Sequence, residues 1–160
     1  MNEEKFDTLC MYGISVEYPR SWVLMISKKQ ISFSEGRVNL IGDDILTGLL
    51  WEARKHHTLD LQGYKRKVTE NLEKKEKQFR LLKTVTTEVH DHPAYLETME
   101  TAGRAGFIGL QKKPVHHTHC IFFCPVSERF ITLYISLLPK LKPEYEYIVN
   151  RLFSTLTCIH

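Results

Sequence analysis

Gly13-Ile14-Ser15-Val16-Glu17-Tyr18-Pro19-Arg20-Ser21-Trp22 is the stretch whose reading decides the fold. Ile14, Val16 and Tyr18 alternate with Ser15 and Glu17, the period of two that marks a half-buried strand. Pro19 ends that strand, because proline brings no N–H to a ladder. Trp22, Leu24 and Ile26 then form a second alternating set, so the chain opens on sheet rather than helix.

Outward from this stretch, Lys28-Lys29-Gln30 reads as a turn, and Ile31 and Phe33 continue opposite Ser32 and Ser34. Ser34-Glu35-Gly36-Arg37 reads as a hairpin turn, with Val38, Leu40 and Ile41 opening the next strand. After Gly42-Asp43-Asp44, a longer strand runs from Ile45 to Arg54 and carries Leu49, Leu50 and Trp51. Trp22 and Trp51 lie on the apolar side of their segments and are expected to be buried. The period changes at Leu59. Leu61, Tyr64, Val68, Leu72, Phe79 and Leu82 recur at three, four and seven residues, predicting one helix from Leu59 to Leu82 with Asp60 near its N-cap.

Period two returns near Thr84, and Asp91-His92-Pro93 is the expected turn into a strand from Ala94 to Thr101. Ile121-Phe122-Phe123 and the run Ile131 to Leu138 read as apolar on both faces, the pattern of central strands. Pro143 suits a first helical turn, Glu144 and Glu146 sit at its positive end, and Tyr145, Ile148, Val149, Leu152, Phe153 and Leu156 form the apolar stripe. The expectation is an α+β fold in residues 1–160. It is a single α-β-α sandwich-like domain, one mostly antiparallel sheet flanked by helices, with an N-terminal tail of about residues 1–6.

A chain of 160 residues can bury a core without metal or disulfide staples, and 42% hydrophobic with 26% charged residues excludes disorder. A net charge of +3 is too small to identify a polyanion partner. Met1 to Asp7 lacks the apolar centre of a signal peptide, and no apolar run approaches the roughly 18 residues that span a bilayer. The expected compartment is the cytoplasm, with no membrane partner. Cys10, Cys120, Cys124 and Cys158 form no CxxC pair and are expected as reduced thiols. Cys120 and Cys124 lie four residues apart along a strand, about 13 Å, beyond the roughly 7 Å that a disulfide tolerates between Cα atoms.

The order of these elements resembles the PsbP-like superfamily, which includes the extrinsic photosystem II protein, a Ran-GTPase-binding factor and many prokaryotic proteins. The resemblance is carried by Tyr12-Gly13-Ile14 through Tyr18-Pro19 and Trp22, and by His92-Pro93-Ala94, similar to the family's hairpin. Phe130 to Leu138 with the following proline, and the helix ending Leu152-Phe153-Ser154-Thr155-Leu156, look like its C-terminal strand and helix. It spans nearly the whole chain, from about Phe6 to Leu156, on short structural motifs. It implies a scaffold for protein contacts, and fold alone does not fix function.

His116-His117-Thr118-His119-Cys120, with Cys124 beyond, is the sharpest chemical constellation. On a strand, alternation puts His117 and His119 on one face, and His116, Cys120 and Cys124 on the other. Zinc wants four ligands in a tetrahedron, so His117, His119 and Cys120 are candidate ligands only with help from elsewhere, such as His90 or His92. The structural reading is a polar strand start running into an apolar core strand. His56-His57 beside Glu52 has acid–base residue types without a nucleophile or an oxyanion-holding loop. Gly103, Gly106 and Gly109 lack dinucleotide-fingerprint spacing and read as a bulged hairpin.

The basic helix carries Lys65-Arg66-Lys67, Lys74-Lys75, Lys77 and Arg80. Glu70, Glu73 and Glu76 lie among them, giving i,i+4 pairs that mark a solvated face rather than a phosphate stripe. Lys67, Lys74 and Lys77 are the candidate partner-binding residues. No catalytic or cofactor-binding residues and no cofactor are expected. The expected function is a non-enzymatic, cytoplasmic protein-binding module, an adaptor or accessory factor. The partner is another protein rather than nucleic acid. The alternative is a small metal- or ligand-binding protein using the His/Cys-rich strand 116–124.

Overall fold

Tyr12 and Gly13, both at positive φ (49° and 82°), fold β1 (Phe6–Met11) back onto β2 (Ile14–Pro19) with Met11 opposite Ile14. Positive φ at both central residues suits the right-handed twist of a two-residue hairpin. The structure is a computed structural model describing residues 4–26, 31–56, 59–76, 78–102, 114–139 and 142–158. The remaining strands are β3 (Val23–Ile26), β4 (Glu35–Gly42), β5 (Ile45–Ala53), β6 (Arg80–Val89), β7 (His92–Ala102), β8 (Pro114–Cys124), β9 (Arg129–Leu137) and β10 (Thr157–Cys158). Two α-helices, α1 (Leu61–Lys75) and α2 (Lys142–Thr155), and one 3-10 turn at Arg54–His56 complete the described elements.

The fold is α+β, as expected, but the strands form two antiparallel sheets rather than one. β1-β2-β10 is a small sheet, and β3-β4-β5-β9-β8-β7-β6 is the large one. The strand Ile14–Tyr18, expected in a common sheet, belongs to the small one. The small sheet and α2 bury one face of the large sheet, so Leu9, Ile14 and Val16 share a core with Leu49, Leu133, Ile148 and Leu152. Trp22 and Trp51 are both buried, as alternation predicts. Trp51 fits because Gly36 stands opposite it; a Cβ there would lie 2.2 Å from the indole.

The predicted helix from Leu59 to Leu82 is too long. Asp60 caps it as expected, its carboxylate accepting from the Gly63 N–H at 2.8 Å. The helix stops at Lys75: Glu76 is already extended, and Gln78 turns at φ 55° into β6, which pairs with β7. The apolar stripe is broken here, because the positions three and four after Leu72 are Lys75 and Glu76. Phe79 and Leu82 thus flank and join a strand, and Leu82 is exposed.

The turn expected at Asp91-His92-Pro93 falls one residue earlier, at His90 and Asp91 (φ 47° and 65°), and His92 and Pro93 are already in β7. β9 is not apolar on both faces. Ile131, Leu133 and Ile135 face the core shared with α2, whereas Thr132, Tyr134 and Ser136 face the other way. The Leu24 and Ile26 side of β3, expected to be the inner one, is exposed.

Candidate functional site

The outward face of the large sheet, opposite the main core, is polar at its centre and roofed by α1. Tyr64 anchors the roof, stacking on Phe130 with centroids 4.2 Å apart and donating its hydroxyl to Glu52 Oε2 at 2.8 Å. Burial, reinforced by the Glu52 charge, raises the Tyr64 phenol's pKa, so it remains a proton donor. A second anchor is the buried Glu97 of β7. Thr69 donates to its Oε1 at 3.0 Å, Thr84 donates to its Oε2 at 3.3 Å, and the Lys65 ammonium lies 3.5 Å from Oε1. A buried carboxylate with this many partners ties helix to sheet.

Between roof and sheet lies a cleft of about 470 Å³, lined by His117, His119, Thr132, Tyr134 and Ser136 below, with Arg37 among the cationic groups along it. Tyr134 crosses the floor over Gly48, where a Cβ would lie 1.9 Å from the ring. Its hydroxyl donates to Asn39 Oδ1 at 2.7 Å, and the Arg37 guanidinium sits 5.7 Å from its ring centroid. Burial raises the Tyr134 phenol too.

Strand alternation separates the predicted ligand set. His117 and His119 face the cleft, while Cys120 joins the opposite core, where burial pushes its thiol up to about 12. His117 Nδ1 pairs with Ser136 Oγ at 2.7 Å and Nε2 with Thr101 Oγ1 at 2.8 Å. Hydroxyls rotate to complement either neutral tautomer. Burial, with a smaller contribution from the His116 charge, lowers His117 to about 4. His119 is 7% exposed and lies edge-on to Tyr134, with centroids 6.1 Å apart. Burial, then the His117 charge, lowers it to about 3, and its Nδ1 has no hydrogen-bond partner among the described residues.

His116 points to the other face, 2.8 Å from Glu100 Oε2, and that hydrogen bond, with Arg80 nearby, holds the Glu100 carboxyl below its ordinary range. His92 stacks on Phe122, turned away from His117 and His119. Among the described residues, no three His, Cys, Asp or Glu side chains are placed to hold a metal ion. The cleft offers neutral imidazoles, phenols and hydroxyls at closed range, an arrangement for hydrogen-bonding a polar group rather than for ligating a cation.

Lys67 is exposed and lines the cleft, Lys74 is exposed on α1, and Lys77 lies outside the described residues, as do His57, Gly103, Gly106 and Gly109. Sequence reasoning missed Tyr134, Ser136, Arg37 and Glu97. The alternation of Thr132, Tyr134 and Ser136 within an apolar strand was a usable signal for a polar floor; Arg37 and Glu97 carried none.

Cys124 and Cys158 face each other across the sheets, Sγ to Sγ 3.1 Å, and none of the four cysteines forms a disulfide. No helix among the described residues is long and apolar enough to cross a membrane.

No protein-family model matches the chain, and no curated protein matches it by sequence. Solved structures do match in fold. Cyanobacterial PsbP (CyanoP) from Synechocystis sp. PCC 6803 aligns with TM-score 0.67 at 13% identity over 99% of this chain and 95% of that one. The Ran-binding protein Mog1p of Saccharomyces cerevisiae aligns with TM-score 0.62 at 6% identity over 98% and 96%. PA94 of Pseudomonas aeruginosa, a protein of unknown function, aligns with TM-score 0.60 at 15% identity over 95% and 96%. At such identities the likeness speaks for architecture, and by that measure the chain has the PsbP-like fold.

Proposed function

We propose that the chain is a non-enzymatic, cytoplasmic protein-binding module, an adaptor or accessory factor, whose partner adds an extended apolar segment to the β3 edge. The observation that carries this reading is the contrast between the large sheet's two edges. β6, at one end, carries Arg80, Lys83 and Glu88 and a register shift between Leu81 and Lys83, features that discourage strand addition. β3, at the other end, is wholly apolar: Val23, Leu24, Met25 and Ile26 are 60%, 37%, 52% and 54% exposed. Main-chain pairing along such an edge gives affinity, and side chains on both faces give selectivity. The Ran-binding protein among the neighbours of this fold supports protein contacts as its use.

The test compares wild type with Leu24→Lys/Ile26→Lys in capture from native lysate, then follows hydrogen exchange with the recovered partner added. Protection at Val23–Ile26, with capture lost in the variant, is expected. Protection confined to the α1 face rejects this reading, as does a wild-type homodimer that the variant abolishes, since the occupant is then a second copy.

The buried Nδ1 of His119, which has no hydrogen-bond partner among the described residues, favours one second reading, a binder of a small polar molecule in the α1 cleft. A thermal-shift screen of uncharged and anionic metabolite-sized compounds tests it. A stabilising compound whose effect vanishes in His119→Phe supports the cleft; an effect that survives the substitution rejects it.

A further inference from the structure

We propose that Cys124 and Cys158 form a thiol–disulfide pair, a covalent modification site that staples the small sheet to the large one. Cys124 ends β8 of the large sheet and Cys158 sits in β10 of the small one, and both are wholly buried. Their sulfurs are 3.1 Å apart, so a bond of about 2.05 Å requires an approach of only about 1 Å. Cys120, four residues before Cys124, has no such neighbour among the described residues: it points into the same core, and burial alone raises its thiol.

The surroundings favour a thiolate at this pair. The turn after β8 directs the Ser127 hydroxyl and the backbone N–H groups of Val126 and Ser127 at Cys124. Although burial works against ionisation, these bonds and the Cys158 S–H bring its pKa below the ordinary thiol value. Burial and the neighbouring Cys124 raise Cys158, which therefore keeps its proton and donates to Cys124. Arg129 supplies positive charge. Its buried guanidinium donates to Tyr12 O at 2.7 Å and lies 3.8 Å from Cys158 Sγ, and among the described residues no carboxylate pairs with it. That charge works against the burial that raises the Cys158 thiol, and it reaches Cys124 through the intervening Cys158 sulfur.

Access comes from the weakness of β10, which pairs with β2 at two positions only, Thr157 with Ser15 and Cys158 with Ile14. A two-residue strand held by so few pairs opens at far lower cost than the whole fold. A hydroperoxide is small enough to enter. The Cys124 thiolate attacks a peroxide oxygen, the O–O bond breaks, and hydroxide leaves, giving the sulfenic acid. The Cys158 sulfur then attacks Cys124 Sγ, the S–O bond breaks, and the hydroxyl departs as water with the Cys158 proton. The pair loses two electrons and the peroxide gains them.

The test treats reduced, full-length protein with stoichiometric hydrogen peroxide, alkylates remaining thiols under denaturant and maps peptides. Cys120 and Cys124 share a tryptic peptide, so fragmentation between them or a Cys120→Ser chain assigns the bridge. The expected product is lighter by two hydrogens, links Cys124 to Cys158, keeps Cys120 alkylated, and melts roughly 5–10 °C higher until reduced. In Cys158→Ser, a dimedone adduct at Cys124 is expected. Recovery of Cys124 and Cys158 as thiols while the exposed Cys10 is oxidised overturns the proposal, as does a bridge joining either of them to Cys10 or Cys120. The wild-type map decides even if a variant fails to fold.

Discussion

Gly48 and Tyr134 face each other across β5 and β9, and the tyrosine lies flat only because the glycine offers no side chain. Gly48→Ala places a methyl into the ring and is expected to cost about 1–3 kcal/mol in urea unfolding. Adding Tyr134→Ser should recover part of that loss, whereas an intrinsic strand effect of the glycine would leave the double variant no better. His119 makes a second residue-scale prediction. Its folded pKa, about 3, lies below the unfolded 6.5, so the unfolded chain binds more protons between those values. Stability is therefore full above about 6.5 and falls as the pH drops towards 3, by up to about 1.4 kcal/mol per pH unit for this group. Denaturation curves from pH 7 to pH 4 should steepen in this direction, and His119→Asn should flatten the dependence; an unchanged slope would mean that the imidazole titrates normally. The sequence placed His117 and His119 on one face through alternation alone. It was silent on their desolvation, because burial depends on α1 closing over them.

At the scale of elements, α1 shows how far periodicity reaches. Its start was legible in Asp60, a side chain that satisfies an orphan N–H from within four residues. Asp60→Ala is expected to cost about 1 kcal/mol by thermal or urea melting. Its end was misread because Phe79 and Leu82 fit the helical stripe in spacing, yet Lys75 and Glu76 interrupt it and β7 offers an edge to pair with. Local pattern ranks below an available ladder. The exposed Lys67 and Lys74 stand among glutamates, so α1 should bind neither duplex nor single-stranded oligonucleotides at physiological salt in a fluorescence titration. A sub-micromolar, steeply salt-dependent affinity would reverse this view of the helix.

For the whole molecule, the two sheets are distinct in hydrogen bonding and joined in packing. Leu9, Ile14 and Val16 of the small sheet lie in the same core as Leu49, Leu133 and Leu152. Neither sheet can expose its inner face without the other, so unfolding is expected as one transition, coincident by far-UV dichroism and by the fluorescence of Trp22 and Trp51. An early, separate loss of one signal would show that the sheets are independent units. Arg129 also acts at this scale, bonding the β1–β2 turn at Tyr12 and the chain at Phe33 O, and stacking over the Phe33 ring at 4.1 Å.

The sequence by itself determined the α+β class, most strands, the N-cap of α1, the apolar stripe of α2 and the burial of both tryptophans. Each of these rests on residues within a turn or a strand length of one another, where periodicity and capping operate. Tertiary structure alone decided that the strands divide into two sheets, since side-chain alternation records which face is apolar but not which edge is bonded. It also decided that Tyr134 and the two histidines share a roofed cleft, that β3 is left apolar and uncovered, and that Cys124 meets Cys158. These groups are brought together by strand order and layer packing, which depend on contacts between distant parts of the chain.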